Sequence, residues 1–121
     1  MKHFALPKAD LLRKPGQYQE IYRQGKRIRG ESLTIIHRAN TTGRYRLGIS
    51  AHGFKKASQR NRIKRIIREY FRLNREQLAA RFNRDKKNQA RDLIFAVRRG
   101  FAPATPGEIA DYLDILLGKR S

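Results

Sequence analysis

The sequence lacks cysteine and tryptophan and contains only 10 acidic residues against 29 lysines and arginines. The absence of cysteine excludes disulfide bonds and thiolate metal sites, and it leaves the redox compartment open. No apolar run approaches the roughly 20 residues that a membrane-spanning helix needs. The first residues also lack the continuous apolar stretch of a secretory signal. We therefore expect a cytoplasmic protein that does not associate with membranes.

Patterns typical of catalytic or metal sites are also absent. The three histidines, His3, His37 and His52, have no spacing that indicates a metal ligand set. There is no Gly-x-Ser-x-Gly motif, no Gly-Lys-Ser/Thr phosphate loop and no paired-carboxylate motif. Asp111 and Asp114 lie three residues apart on a predicted helix, where a solvated face explains them more simply than catalysis. We predict no catalytic and no metal-binding residues in the protein itself.

What the chain has in excess is positive charge. Its 121 residues carry a formal net charge of +19, and a chain of this length suits one compact domain over residues 1–121. Because so high a charge costs stability through self-repulsion, it indicates binding to a polyanion, and nucleic acid is favoured over an anionic membrane. The segment after Gly100 sums to −1 and residues 1–100 to +20. The polyanion-binding surface is therefore expected before Gly100.

The strongest local pattern lies at residues 55–72. Apolar side chains recur there with the spacing of an amphipathic helix, at Ile63, Ile66, Ile67, Tyr70 and Phe71. The opposite side carries Asn61, Arg65, Arg68 and Arg72, with Arg62 and Lys64 on its flanks. Glu69 is the only acid in this segment, whereas a merely solvated face would mix charges of both signs. The pattern predicts a helix that docks on a core and presents cations to nucleic acid.

The remaining elements follow from periodicity and turn residues. In chain order, we predict a helix over 14–24 that Gly25 stops, a short strand over 27–29, and strands over 32–38 and 45–51 that form a hairpin. The basic helix then runs from Ala57 or Ser58 towards Phe82 and is followed by a solvated segment or a frayed helix end over 84–91. A buried strand over 92–98 and a last helix capped by Thr105 come after it. This order predicts an α+β protein in which one sheet packs against helices.

The segment 60–71 is also recognisable as a motif. It reads Arg-Asn-Arg-Ile-Lys-Arg, then Ile-Ile-Arg, then an aromatic residue at Phe71, and it resembles the signature of the bacterial ribonuclease P protein subunit. Residues 12–25, 46–50 and 92–98 are similar to the family's first helix, the strand before the signature and the last strand, in the same order. The resemblance implies a two-layer α/β sandwich with a mixed sheet of about four strands. It also implies a ribosomal-protein-like topology with a left-handed βαβ crossover, against the usual right-handed rule.

The same resemblance implies a function. Members of this family join a large catalytic RNA in a heterodimeric ribonucleoprotein that removes the 5′ leader from precursor tRNA. In that family the active site belongs to the RNA, which also binds the required Mg²⁺ chiefly by itself. Two other classes remain open, namely a ribosomal or ribosome-associated RNA-binding protein of similar fold, and a stand-alone nuclease or DNA-binding protein.

Two groups of contact residues are expected. Contacts with the catalytic RNA are assigned to Lys55, Lys56, Arg60, Asn61, Arg62, Lys64, Arg65, Arg68 and Arg72, although Arg60 and Arg62 are alternatively placed to brace the loop at 52–56. Aromatic side chains beside cations stack unpaired bases, so Tyr18 and Tyr22 are either core residues or contacts for the leader. Because successive side chains of a strand point to opposite faces, Thr34 and Ile36 lie on the face opposite to Leu33 and Ile35. The resemblance places that side towards the leader, which assigns Tyr18, Tyr22, Thr34 and Ile36 to leader contact.

Two segments depart from the family pattern. A Lys-Lys pair followed by glycine is usual before the signature, but residues 51–56 read Ala-His-Gly-Phe-Lys-Lys and are one residue short. This shift puts the usual lysine contacts in question, with Lys55 and Lys56 as substitutes. The stretch 74–89 is longer than usual, and we assign it no function.

Overall fold

A computed structural model of the chain describes residues 6–82 and 89–118. Its elements are, in chain order, α1 (Pro15–Gln24), β1 (Lys26–Arg29), β2 (Leu33–Ala39), β3 (Arg46–His52), α2 (Ala57–Leu73), α3 (Arg75–Phe82), β4 (Arg91–Arg98) and α4 (Pro106–Leu117), preceded by a 3₁₀ turn at Lys8–Asp10. Within these ranges no helix has both the length and the apolar character to cross a membrane. The predicted α+β class is confirmed.

The strands form one mixed sheet in the order β1-β2-β4-β3. β2 is antiparallel to both β1 and β4, whereas β3 is parallel to β4. The predicted hairpin between the strands over 32–38 and 45–51 is therefore wrong, because β4 lies between β2 and β3. Residues of β4 are buried on both faces of the sheet, including Ile94 and Phe95, and such a strand needs covering elements on both sides. The hairpin that does form joins β1 to β2.

The two faces of the sheet are covered by different elements. The larger cluster lies under α2 and α4 and includes Leu33, Ile35, Leu47, Leu93, Phe95 and Val97. On the opposite face α1 covers a smaller cluster of Leu12, Ile21, Ile36 and Ile94, with Tyr18, Tyr22 and Ala96 packed at its border. The predicted alternation along β2 is confirmed, since Leu33 and Ile35 belong to one cluster and Ile36 to the other. We call these surfaces the sealed face and the open face.

The basic helix buries the predicted side but is shorter than predicted. Ile63, Ile67, Tyr70 and Phe71 are buried, and Ile66 is partly buried. A single helix towards Phe82 is wrong, because Asn74 ends α2 and α3 starts after it. The Asn74 backbone N–H and side-chain Nδ2 both donate to the Tyr70 carbonyl, at 2.9 and 3.0 Å. An asparagine side chain that competes for backbone groups in this way favours a helix end.

The ends of the other helices follow the predicted caps. Thr105 Oγ1 accepts the backbone N–H of Glu108 at 3.4 Å, directly before Pro106 in the first turn of α4. Gly25 ends α1 as predicted, but its φ of −77° does not require glycine. A Cβ there would lie 2.6 Å from the Ile21 carbonyl oxygen, so glycine is needed for close packing. The predicted solvated segment over 84–91 lies outside the described residues up to 88, and Arg91 already belongs to β4.

Candidate nucleic-acid interface

The outward side of α2 presents cations to solvent. Asn61, Arg62, Arg65 and Arg68 are exposed, and Lys64 is half-buried on the flank. Arg72 differs from them, because its Nη2 lies 2.5 Å from Glu69 Oε2 and its Nε donates to Oε1 at 3.2 Å. These bonds lower the pKa of Glu69, so the carboxylate is charged and offsets Arg72. The uncompensated positive charge of α2 therefore lies on its first and central turns, before the Glu69–Arg72 pair.

The loop before α2 carries further cations. Lys55 and Lys56 are exposed, and Gly53 has a φ of +80°, a backbone conformation that favours glycine. Arg60 is half-buried and its Nη1 donates to the carbonyl of Phe54 at 3.4 Å. Arg60 thus braces the loop, which is the alternative role expected for it, whereas Arg62 remains exposed. The shortened loop still presents two lysines next to the signature.

The open face of the sheet carries a strip that α1 leaves partly uncovered. The strand register aligns Arg29, Thr34, Ala96 and Ser50 side by side across all four strands. Thr34, Ala96 and Ser50 are half-buried and Arg29 is exposed. Ile36 is only 1% exposed beneath α1, so it forms part of the floor and leaves little surface for direct contact. The strip is a shallow cleft with small side chains at its base.

The two tyrosines of α1 border this cleft in different ways. Tyr18 donates its hydroxyl to the Leu12 carbonyl at 3.3 Å and accepts the Ile49 N–H at 3.1 Å. Burial raises the pKa of Tyr18, which keeps the phenol protonated and able to donate. A Cβ on Gly48 would lie 3.0 Å from the Tyr18 ring, so glycine permits this contact. Tyr22 is also half-buried, but its ring faces a cation, with the Arg27 guanidinium carbon 5.8 Å from the ring centroid.

The cationic side of α2 and the tyrosine side of α1 meet at one small cavity. It has a volume of about 160 Å³, and its lining includes Arg13 and Tyr18 on one side and Lys64 and Arg68 on the other. Aromatic rings beside cations in a groove suit unpaired nucleic acid, in which bases stack and phosphates are neutralised. The two candidate contact regions are therefore neighbours on one surface.

Sequence reasoning missed several side chains of the cleft, namely Arg27, Arg29, Ser50, Ala96 and Arg98. Their positions depend on which strands are neighbours, and the predicted hairpin placed β3 beside β2. With β4 in the centre, Ser50 and Ala96 become direct partners. The cations of β1 were visible as a charged strand, but the face to which they belong follows only from the register with β2.

Acid–base chemistry has little support among the described side chains. Burial and the nearby charges of Arg91 and Lys26 lower the pKa of His37 to about 4, and its ring lies 4.9 Å from that of Phe82. His52 Nε2 lies 2.7 Å from Ser50 Oγ at the end of β3. Asp114 accepts a hydrogen bond from Arg81 at 3.1 Å. Over residues 6–82 and 89–118, no group of three or more histidines and acids could hold a metal ion.

Comparison with known proteins identifies the family. Residues 6–120 match the sequence model of the family described as Ribonuclease P. The chain belongs to the ribonuclease P protein family. The ribonuclease P protein component of Desulfotalea psychrophila is 44% identical over 119 residues, which cover 98% of this chain and 92% of the relative. That of Proteus mirabilis is 33% identical over 115 residues, covering 93% and 88%.

Solved structures of the ribonuclease P family have the same fold. The Staphylococcus aureus RNase P protein is 27% identical, with a TM-score of 0.69 over 91% of this chain and 94% of its own. The Thermotoga maritima RNase P protein is 25% identical, with a TM-score of 0.63 over 91% and 97%. The expected function is confirmed at this level: the chain is a protein component of the ribonuclease P endoribonuclease, and its partner is the ribonuclease P RNA. The ribosomal alternative is not favoured.

Proposed function

We propose that this protein, acting as a single domain, binds the catalytic RNA through α2 and its preceding loop and holds the 5′ leader of precursor tRNA in the cleft beside α1. The cavity shared by Tyr18, Lys64 and Arg68 is the observation that carries the proposal, because it joins the two surfaces. Hydrolysis belongs to the RNA, which also binds the Mg²⁺ ions chiefly by itself. The ribonucleoprotein has one protein and one RNA and acts in the cytoplasm.

Contacts with the catalytic RNA are assigned to Asn61 and to the cations around the signature, Lys55, Lys56, Arg60, Arg62, Lys64, Arg65, Arg68 and Arg72. Cations fixed on a folded surface neutralise phosphates and release counterions, so each exposed arginine adds affinity that declines with salt. Arg60 also braces the loop, and Glu69 offsets the charge of Arg72. The strongest contributions are therefore assigned to Arg65 and Arg68, which are exposed on the central turns.

The leader is assigned to Tyr22, Thr34 and the ring edge of Tyr18, with the guanidinium of Arg27 close to the ring of Tyr22. A single-stranded leader offers unpaired bases that stack on an aromatic ring and phosphates that attract nearby cations. The contact expected of Ile36 is not supported by its burial, and we assign it to the floor that holds α1 on the sheet.

Cleavage of precursor tRNA at low Mg²⁺ tests the proposal as a whole. The RNA alone should cleave poorly under these conditions, the protein alone should not cleave, and the two together should restore cleavage, because protein cations replace part of the ionic screening. Cleavage by protein that is free of RNA would contradict the assignment of hydrolysis to the RNA.

Substitutions on α2 test the surface itself. Arg65→Ala and Arg68→Ala should each weaken RNA binding by roughly 1 kcal/mol and reduce the salt slope by about one unit. Arg72→Ala is the matched control on the same helix, and its effect should be smaller because Glu69 already offsets that charge. Salt titrations of RNA affinity measure both quantities. Unchanged affinity and slope in the Arg65 and Arg68 variants would disprove the assignment of α2.

A further inference from the structure

A larger cavity lies at the other end of the signature, and it shares Lys55, Lys56 and Arg62 with the proposed RNA surface. Its volume is about 450 Å³, and it separates the start of α2 and its preceding loop from the loop over 99–104. The site adjoins the carboxyl ends of the parallel strands β3 and β4. A volume of this size is within the range of about 300–1,000 Å³ that is typical of small-ligand sites.

The floor of this cavity is apolar and held in place by the core. Its apolar lining consists of Phe54, Ile63, Phe101 and Pro103. Phe101 is 0% exposed, and its ring centroid lies 4.6 Å from that of Tyr112 on α4. A Cβ on Gly53 would lie 3.8 Å from the backbone nitrogen of Arg99, so the two loops lie close together. These contacts form the cavity before any ligand binds.

The rim of the same cavity is cationic and, among the residues that the structure describes, carries no acid. Its charged members are Lys55, Lys56, Arg62 and Arg99, all of them exposed. Among the described residues none of the four is within ion-pair distance of a carboxylate, whereas Arg46, Arg72 and Arg75 are paired. An apolar floor under an uncompensated cationic rim matches a group that is aromatic at one end and anionic at the other. An unpaired nucleotide has this chemistry.

We propose that this cavity binds one unpaired nucleotide of the ribonuclease P RNA. Its base packs against the half-buried ring of Phe54, and its phosphates contact Arg99 and the two lysines. This inference rests on the proposed function, because the rim continues into the RNA surface of α2. It adds a base contact to a surface that otherwise binds phosphates, and it gives the shortened loop a role, since Phe54 and Lys55 both line the cavity.

Filling the cavity without changing its charge is the first test. Ala102 lines the cavity with its side chain exposed, and Ala102→Trp should weaken binding of the catalytic RNA roughly 5- to 150-fold, the range that stacking of one base is worth. The salt slope should remain the same. Arg99→Ala should weaken binding and reduce the slope by about one unit. Lys8→Ala, which removes an exposed cation outside both proposed surfaces, should change affinity less than twofold.

A single attached photo-crosslinker is the second test, and it does not depend on a bulky substitution. Because the chain contains no cysteine, Ala104→Cys provides one thiol at the cavity for labelling. The crosslink should map to one unpaired nucleotide of the catalytic RNA and should disappear when Ala102→Trp is added. Circular dichroism establishes that each variant is folded.

Several outcomes would overturn the inference. These are crosslinks confined to base-paired RNA or to the leader, affinity within twofold of the unmodified protein for Ala102→Trp, and crosslinks that polyglutamate suppresses as effectively as unlabelled catalytic RNA does. The last would assign the cavity to acidic protein chains. If Arg65→Ala still weakens RNA binding in these cases, only the nucleotide site fails. If Arg65→Ala also has no effect, the proposed RNA surface fails as well.

Discussion

Alternate residues of the same strands lie on the sealed face and the open face of the sheet, and the two sets differ in how deeply they are buried. On the sealed face, Phe95 and its neighbours on β2 and β4 are 0–3% exposed under α2 and α4. On the open face, the adjacent residues Thr34 and Ala96 are half-buried and border exposed arginines. One face therefore holds the fold together while the other keeps surface available. Substitutions one residue apart in a strand should separate stability from RNA recognition.

The largest effect is expected from truncation on the sealed face. Phe95→Ala should lower the free energy of unfolding by about 3–5 kcal/mol, because it removes a fully buried ring and leaves a cavity. Ala96→Ser, the next residue in the strand, is the control and should change stability by less than about 1 kcal/mol, since Ala96 is half-buried beside other polar groups. Urea denaturation measures both. Equal losses would contradict the division between the faces.

A smaller effect is expected where α1 and the segment before it approach β3. Gly48→Ala would place a Cβ 2.9 Å from Leu12 Cδ1 and 3.0 Å from the Tyr18 ring. Relieving such overlap typically costs about 1–3 kcal/mol. The variant should remain folded on the sealed face but shift α1, so that leader binding weakens. Stability unchanged within a few tenths of a kcal/mol would mean that α1 accommodates the methyl group without moving.

Substitution of Tyr22 at the open face should affect binding of precursor tRNA more than it affects the stability of the protein. Tyr22→Ala should weaken holoenzyme binding of precursor tRNA by about 1–3 kcal/mol, the value of one stacked base, and leave binding of mature tRNA nearly unchanged. Tyr18→Phe keeps the ring but removes its hydrogen bonds to Leu12 and Ile49, so its main effect should be a loss of about 0.5–1.5 kcal/mol in stability per bond. Equal loss of precursor and mature tRNA binding in Tyr22→Ala would mean that Tyr22 is a core residue and not a leader contact.

The smallest effect is expected from lowering the pH, which weakens the ion pairs of the segment that leads into α1. Asp10 is 0% exposed and is bonded by Arg44 and by Arg75, the latter at 2.8 Å. The hydrogen bond from Arg44 lowers the pKa of Asp10, although burial acts in the opposite direction. Because the folded pKa is below the unfolded one, this stabilisation is complete above the unfolded pKa of about 4. It is lost as pH falls through the folded pKa.

Asp10→Asn should therefore reduce the dependence of unfolding free energy on pH in the acid range and leave the neutral range flat. Amide hydrogen exchange should show that acid loosens α1 and the open face before the sealed face. The same acid dependence in Asp10→Asn and the unmodified protein would assign the effect to other carboxylates.

Sequence reasoning succeeded where one element alone determines the pattern. The spacing of Ile63, Ile67 and Phe71 fixed the buried side of α2, and Thr105 with Pro106 fixed the start of α4. It failed where the outcome depends on distant segments. Nothing near β3 indicates that β4, which follows α2 and α3, takes the place beside β2. The break at Asn74 was missed for another reason, since apolar periodicity continues to Leu78 across it.

The candidate contact residues divide in the same way. The cations of α2 were predictable because a helix carries its own periodicity, whereas the cleft required the register of all four strands. Burial then separated Ile36 from Thr34, although both have the same orientation on β2. Tyr18 and Tyr22 could not be distinguished by spacing, and the hydrogen bonds of Tyr18 distinguish them.

The bridge between Leu11 and Leu47 has a consequence for how molecules of this protein behave towards each other. β3 is an outer strand, and the parallel pairing of these leucines, with the Leu12 N–H donating to the Leu47 carbonyl at 2.8 Å, occupies part of its free edge. The opposite edge is β1, a four-residue strand with exposed Lys26, Arg27 and Arg29. Short, charged or covered edges prevent strand addition between copies. Before the RNA arrives, this sheet is thus protected against growing into aggregates.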